Sequence, residues 1–537
     1  MDVSCYTETD DVLSLENNER SIMFSKSYCA ALQGMCASII QVEADLSDGL
    51  PVFQLVGYLG SQVKEARERV RIALKNSGFK LPVKKITVNL SPADIHKEGT
   101  SFDLSIALSI LCSMGVVNSK TIHKTIFIGE LGLDGTLQNV NGILPIVYEA
   151  KKQGFKECIV PRGNVLEGSV VQGIHVYGAE SLSQVVKHLN GNAKLVEEKR
   201  NVTDLLEHSH TETIDFNEVA GQELLKRALE IAVAGQHNII IAGPPGSGKT
   251  MLARRIPSIM PELSFEEAME ISKIYSISGL LNAKNSFITN RPFRAPHHTI
   301  TAHALVGGGV IPKPGEISFA TGGVLFLDEV LEFKRNVIES LRQPMEEKKI
   351  TLSRLNRNYE YPSSFMLVGA TNLCPCGYYP NRSKCQCSER QIARYMGKMS
   401  KALLDRIDIC AEAMEIDYER LQSHSQESSE TIRKRVKKAR DSQLIRYQNS
   451  EIQFNSQLTP KLIKEFIPLK KEEQEFMHRI FEQMQLTARS YHKILKVART
   501  IADLAGDTAV LTVHLQEAVF YRNSGYFSGR EGQYDEA

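Results

Sequence analysis

"NIIIAGPPGSGKTMLARRI", Asn238 to Ile256, decides the fold of this 537-residue chain. Gly243, Pro244, Pro245, Gly246, Ser247, Gly248, Lys249 and Thr250 satisfy the pattern G-x-x-x-x-G-K-[ST]. An apolar run fit for a buried strand precedes it, and a stretch with helical spacing follows, which is the context the pattern requires. The glycines permit a tight loop whose backbone N–H groups face phosphate oxygens, and the helix N-terminus adds a favourable dipole. Lys249 is expected to reach the β- and γ-phosphates of ATP, and the Thr250 hydroxyl to ligate Mg2+. The stretch predicts an α/β nucleotide-binding core.

Outward from the loop, "GGVLFLDEV" (Gly322 to Val330) is an apolar strand ending in two acids. A buried strand ending in two solvated acids is common. Placed 78 residues after Thr250, it predicts that Asp328 holds Mg2+ and that Glu329 polarises the attacking water. "SSFMLVGATN" ends a further strand in Asn372, which can sense the γ-phosphate or position water, or else simply cap the strand. "ALLDRIDI" puts Arg406 on a turn after a helix. The bland reading is a surface arginine. The spacing also suits a finger reaching a neighbouring subunit's γ-phosphate, which implies a ring with shared sites.

Between Asn372 and Arg406 lies "TNLCPCGYYPNRSKCQC", with four of the ten cysteines. In extended chain, residues i and i+2 point to one side. Cys374 with Cys376, and Cys385 with Cys387, can therefore present four thiolates to one Zn2+. A reversible disulfide and free thiols are the competing readings. The acidic N-terminus, "MDVSCYTETDDVL", lacks the apolar stretch of an export signal, so a cytoplasmic location is expected, where paired cysteines favour metal or redox roles. The run Leu104 to Val117 is too short to span a membrane and reads as a buried helix, and no membrane partner is expected.

Apolar residues make up 42% and charged residues 24%, ordinary values for globular protein, and the net charge is +1. Any nucleic-acid surface must therefore be local. "EEKKITLSRLNRNYEYPSSFMLV" reads as strand, turn, strand and clusters Lys348, Lys349, Arg354 and Arg357, with Tyr359 and Tyr361 as stacking surfaces for DNA. "TIRKRVKKARDSQLIRYQ" is a basic helix for which phosphate contact and simple solvation both stand. His297 and His298 show no third donor at metal-ligand spacing.

The motifs, in this order, resemble those of the AAA+ ATPases. The longer segments "GQELLKRALEIAVAGQHNIIIAGPPGSGKTMLARRIPSIMP", "RPFRAPHHTITAHALVGGG", "PKPGEISFATGGVLFLDEVLEF" and "LLDRIDI" are similar to the magnesium-chelatase-like subgroup known as the YifB/ComM family. The resemblance implies a hexameric homo-oligomer and, for ComM, ATP-driven branch migration of DNA junctions in natural transformation. It puts Lys249, Thr250, Asp328, Glu329, Asn372 and Arg406 on the family's nucleotide-site positions, with Arg489 in "TARSYHKILKVARTIADL" as a second sensor on the lid helix. The rival readings are a chelatase motor subunit and a regulatory ATPase that does no DNA work.

In the N-terminal region, "IIQVEADLSDGLPVFQLVGY" reads as two strands around an Asp-Gly turn, and "ECIVP" as the last strand. Val63, Ala66, Val70, Ala73 and Leu74 fall on one face of a helix between them. The region resembles the Lon-protease catalytic fold, with Ser101 at the nucleophile position. Leu144 stands where the family carries its lysine, so an inactive relative is expected. The expected organisation is a mobile tail (1–20), a Lon-like α/β domain (21–190), a linker (191–213), an AAA+ α/β core with the cysteine cluster (214–417), an α-helical lid (418–523) and a C-terminal tail (524–537).

Overall fold

The computed structural model describes residues 23–201, 205, 214–282, 285–354, 357–415 and 427–522. The two expected tails lie outside the described residues, as do 202–204 and 206–213 of the linker and 416–426 at the expected core–lid boundary. The chain forms two compact units, Met1–Val202 with Tyr275–Phe287, and Thr203–Ile274 with Ile288–Ala537.

The first unit is built on a seven-stranded sheet. Its strands are β1 (Phe24–Gln33), β2 (Cys36–Ser47), β3 (Phe53–Val56), β4 (Lys85–Ser91), β5 (Thr125–Phe127), β6 (Glu157–Pro161) and β7 (His175–Ala179), in the order β3-β4-β2-β1-β5-β6-β7. Helix α1 (Ser61–Asn76) buries Val63, Ala66, Val70, Ala73 and Leu74, the face its spacing predicts. Helix α2 (Asp103–Ser113), cut from the long apolar run, is buried along its whole length.

Three features of this unit depart from the pattern of the sequence. The strands flanking Asp48-Gly49 do not pair with each other, because β4 lies between β2 and β3 and pairs parallel with β3. The segment Glu157–Pro161 is not the last strand, since β7 follows it on the sheet edge. The segment at Phe24–Gln33 is a full strand, joined to β2 by the two-residue turn at Gly34 (φ 60°), where glycine takes left-handed backbone without strain. In the Lon-like region, Leu144 is buried on helix α3 (Ile143–Lys152), with its N–H donated to Glu167 at 2.9 Å. Lys97, the lysine nearest Ser101 in the chain, is itself buried and gives its ammonium to the Pro92 carbonyl.

The second unit carries five parallel strands: β8 (Ile239–Ala242), β9 (Phe293–Arg294), β10 (Val324–Leu327), β13 (Met366–Thr371) and β14 (Ile409–Glu412). Their order is β9-β10-β13-β8-β14. Between β10 and β13 in sequence, β11 (Lys349–Arg354) and β12 (Arg357–Pro362) form a separate antiparallel hairpin. Strands β8, β10 and β13 are apolar and buried along their length, as expected of a parallel sheet covered on both faces. Helices α5 (Glu223–Gly235), α6 (Lys249–Ile259), α7 (Glu389–Met396), α8 (Ser429–Tyr447), α9 (Ala488–Ala505) and α10 (Thr512–Phe520), with α4 (Leu182–Leu189) of the first unit before them, complete the frame used below. One hydrophobic cluster runs from Ile239, Val324 and Val368 in the sheet to Ile432, Val436, Ile494, Ile501 and Leu515 in the C-terminal helices. Lid and core thus share a packed interior, and no helix among the described residues is long and apolar enough to cross a membrane.

Candidate nucleotide site and cysteine cluster

The strand order β10-β13-β8 brings three strand ends side by side, each carrying polar residues where the sheet stops. After β8 the chain turns through Gly243 to Gly248, with φ of +78° at Gly246 and +84° at Gly248, and enters α6 at Lys249. A Cβ on either of those two glycines would meet nothing within 4 Å, so the loop has open space above it. Gly243 differs, because a Cβ there would stand 2.4 Å from the Ala413 carbonyl oxygen. The loop root lies directly on the chain leaving β14. Gln222 adds a clamp: its amide N–H2 donates to Ser247 O (3.1 Å) and Met414 O (2.6 Å), and its carbonyl accepts from Met414 N (3.2 Å). Sequence reasoning missed Gln222, whose left-handed φ of 62° aims it across the loop.

Lys249 is buried, and its ammonium donates to the carbonyls of Gly243 (2.8 Å) and Pro244 (2.7 Å) and to Asn372 Oδ1 (3.3 Å). Burial lowers its pKa, and the charges of Asp328 and Glu329 oppose that shift. Thr250 Oγ1 donates to Asp328 Oδ2 at 2.8 Å. The second oxygen of Asp328 accepts the N–H of Glu329 at 3.0 Å. Glu329 has φ 51° and ψ 49°, left-handed backbone in a residue with a side chain, and it is exposed. Such a conformation costs about 1 kcal/mol and clusters at functional sites. Five of the predicted residues (Lys249, Thr250, Asp328, Glu329 and Asn372) therefore converge.

The same residues fit ATP and Mg2+. The loop offers backbone N–H groups at a helix N-terminus, a lysine whose donors rest on neutral carbonyls, and a hydroxyl–carboxylate pair suited to a hydrated divalent cation. Tyr395 on α7 stands close by. Burial raises its pKa first, and Glu332 and Glu329 add to the rise, so the phenol stays protonated.

Arg406 and Arg489 lie elsewhere in the unit. The Arg406 guanidinium is largely buried and pairs with Glu346. Arg489, in the first turn of α9, is exposed and lies 3.7 Å from Asp405. Both arginines thus meet on the turn before β14.

The expected DNA hairpin is present, but two of its residues are turned inward. Tyr361 is not a stacking surface: paired with Ile350 on the inner face, it is buried and donates its hydroxyl to Pro312 O at 2.7 Å. Lys348 precedes the hairpin in left-handed backbone (φ 55°), and its ammonium is drawn toward Asp408, burial lowering its pKa against that attraction. Lys349 is exposed and pairs with Glu360 at 2.9 Å. Arg354 donates to Gly309 O at 2.7 and 3.1 Å, which fastens the hairpin to the turn that carries Val310, 97% exposed. Arg357 begins β12, and its side chain lies outside the described residues. On α8 the basic run is partly spent within the chain: Lys434 pairs with Glu430, Arg435 with Glu230 and Glu427, and Arg440 stacks on Phe454 and donates to Gln453 O.

The four cysteine sulfurs of Cys374, Cys376, Cys385 and Cys387 all lie within 4.8 Å of one another. Individual separations are 3.3 Å (Cys374–Cys376), 3.6 Å (Cys376–Cys385) and 3.8 Å (Cys374–Cys385). These exceed a disulfide bond of about 2.05 Å and lie near the edge of about 3.8 Å that a tetrahedral zinc–thiolate site requires. The Cys376 thiol is lowered to about 6, first by the Tyr378 backbone N–H and then by the neighbouring thiols. The cluster's turn reaches the nucleotide loop. Gly377 N donates to Cys374 O at 3.0 Å, and a Cβ on Gly377 (φ +85°) would stand 2.8 Å from Pro245 Cδ.

Comparison with known proteins matches three family models in succession: "Subunit ChlI of Mg-chelatase" over 42–164, "Magnesium chelatase, subunit ChlI" over 215–421 and "Magnesium chelatase, subunit ChlI C-terminal" over 426–522. The chain is 42% identical over 499 residues to competence protein ComM of Haemophilus influenzae, covering 92% of this chain and 96% of that protein. It is 40% identical over 497 residues to the uncharacterized protein YifB of Escherichia coli K12, with the same coverage of each. It is also 29% identical over 196 residues to Lon protease 2 of Bacillus subtilis, covering 32% of this chain and 35% of that protein.

The loop root supplies a direct test. Gly243→Ala forces its new methyl against the Ala413 carbonyl, and the loop must move to make room. Titration with a fluorescent ATP analogue should show binding weakened about 5- to 150-fold, a shift of about 1–3 kcal/mol, with the overall fold retained by circular dichroism. Unchanged affinity would show that the packing at Gly243 does not set the loop.

Proposed function

The chain belongs to the magnesium-chelatase ChlI-like AAA+ family, alongside YifB and ComM, and on that premise we propose that it is a ring-forming ATPase that remodels branched or single-stranded DNA. Family membership implies ATP hydrolysis. The observation that carries the catalytic reading is the Thr250–Asp328 hydrogen bond with Glu329 beside it, which joins the two motifs at one point. In this reading Lys249 leaves its carbonyl partners for phosphate oxygens, and Asn372 reports on the terminal phosphate. Thr250 and Asp328 hold Mg2+, which when bound supplies positive charge to the phosphate oxygens. Glu329, exposed at the strand end, takes hydrogen-bonding hold of the water that attacks. Arg406 acts in the neighbouring subunit's site, its pairing with Glu346 giving way to the more highly charged triphosphate. Arg489 serves as the second sensor, on the lid.

For DNA, what supports the reading is the likeness to a competence protein together with the Lys349–Arg354 hairpin, which leaves the chain between the Glu329 and Asn372 strands. Binding through Lys349, Arg354 and Arg357 acts on phosphates, so it should fall steeply with salt and show little sequence preference. Branch migration of three- or four-way junctions is the activity proposed, in the cytoplasm, by a hexamer. A chelatase motor is the second reading, favoured by the family models and by 28% identity over 185 residues to the magnesium-chelatase 67 kDa subunit of Heliobacterium mobile.

The test is ATPase activity with and without forked or single-stranded DNA, combined with a junction-migration assay. Wild type should be stimulated by DNA and move junctions only with ATP. Glu329→Gln should bind ATP and DNA yet move nothing, with turnover down by about two orders of magnitude or more. Assembled, hydrolysing protein that binds no DNA at low salt would leave the chelatase-motor reading standing.

The cysteine cluster is proposed to hold one structural Zn2+ per chain, bracing the turn at Gly377 against Pro245. Elemental analysis should find zinc at one equivalent. Cys376→Ser should lower both zinc content and melting temperature, and chelation should weaken ATP binding through the loop contact. Metal-free protein with four titratable thiols and unaltered ATP affinity would contradict it.

A further inference from the structure

The segment Asp405–Cys410, which carries Arg406 into β14, is held from the C-terminal helices at four places. The Asp405 carboxylate lies 3.7 Å from Arg489. The Ile407 carbonyl accepts two hydrogen bonds, from Lys493 Nζ and from Arg522 Nη1, each at 2.7 Å. The Asp408 carboxylate pairs with Lys493 at 3.3 Å, and its other oxygen lies 3.4 Å from His237 Nδ1. His237 Nε2 in turn lies 2.8 Å from Thr500 Oγ1 on α9. The N–H of Cys410 donates to Tyr521 O at 2.8 Å. On the core side, Asn238 closes the grip. Its amide donates to Arg406 O (3.1 Å) and its carbonyl accepts from Leu367 N (2.9 Å), one residue before β8 begins.

Within this set Lys493 is placed unlike the rest. It projects from α9, its side chain is 11% exposed, and its ammonium bonds on both sides of the peptide following Ile407: the Ile407 carbonyl and the Asp408 carboxylate. A buried ammonium is strongly disfavoured without its partners, so it cannot slide along the segment as a surface lysine would. Asp408 is matched to it. Burial pushes that carboxyl up, but Lys493 first, then His237 and Lys496, hold it well below the usual carboxylate range. Any displacement of α9 must therefore carry the Arg406 segment with it or break two charge-assisted bonds.

We infer that Lys493 is a positioning residue through which a chain's own lid helix sets the place of its Arg406, and thereby the turnover of the adjoining subunit's site. The inference rests on the reading of Arg406 as acting in trans. The lid helix and Arg406 of one chain would then be presented to the adjoining site as a unit, held together by Lys493.

The test uses Lys493→Met, which keeps the unbranched apolar stem and removes the ammonium. Rings should assemble and bind ATP with KM unchanged, while kcat falls about 10- to 100-fold. The double variant R406A/K493M should be no slower than R406A, because both remove the same contribution. Rings mixed from K493M and E329Q subunits should recover activity, as R406A with E329Q should, since some interfaces then join an intact Glu329 to a well-placed Arg406. Lys493→Arg, which restores a cation, should recover part of kcat. If K493M raises KM with kcat intact, or compounds the loss of R406A, or is not complemented where R406A is, the positioning role is overturned and the shared site stands. If R406A itself is not complemented in verified mixed rings, both fall. Should K493M fail to assemble, K493Q keeps a neutral donor in its place but removes the charge. A fall in its kcat at constant KM, complemented by E329Q, then supports the positioning role, and an unchanged kcat overturns it.

Discussion

The hydrogen bond from Thr250 Oγ1 to Asp328 Oδ2, 2.8 Å long, is the constraint on which the rest of the second unit turns. It closes a gap of 78 residues and exists because β10 and β8 flank β13 in one parallel sheet. In such a sheet every strand ends on the same edge, so polar residues that terminate separate strands collect without any one of them being bent out of its element. Lys249, Asn372 and the Asp328–Glu329 pair are the products of that arithmetic. Glu329 carries a local cost, a left-handed backbone supported by the Asp328 carboxylate on its N–H.

Two further constraints tie the edge to its surroundings. On one side Gly243 rests on the Ala413 carbonyl and Gly377 on Pro245, so both the chain leaving β14 and the cysteine turn touch the loop. On the other side the lid grips the segment around Arg406 through Lys493, Arg522 and Tyr521. The hydrophobic cluster shared by sheet and lid makes these contacts parts of one packed body. The loop thus touches both the chain leaving β14 and the turn of the cysteine cluster.

Much of this was legible in the sequence, for reasons that differ by residue. The loop, Asp328 and Asn372 are readable because their chemistry sits at strand ends, where an apolar run stops abruptly. The cysteine cluster is readable because extended chain puts i and i+2 on one side. Strand β1 is not readable. Its inward residues include Ser25 and Ser27, satisfied by the carbonyls of Ser109 (2.5 Å) and Ser105 (3.0 Å) on α2, so the apolar alternation that marks a strand is missing. Tyr361 and Lys348 look like exposed members of a basic, aromatic hairpin, yet the two-residue period and a left-handed φ turn them inward. Gln222 and Lys493 lie inside segments that resemble the family's, but nothing in their spacing marks their roles. What makes them important is a partner far away in sequence, and only the fold supplies that partner.

The ATP site proposed above is completed across a subunit boundary by Arg406. Specific ATPase activity measured against protein concentration, with assembly followed in parallel by light scattering, tests it most directly. Little activity is expected in dilute monomer, with a steep rise that tracks ring formation. Specific activity that stays constant from monomer to assembled ring would contradict it.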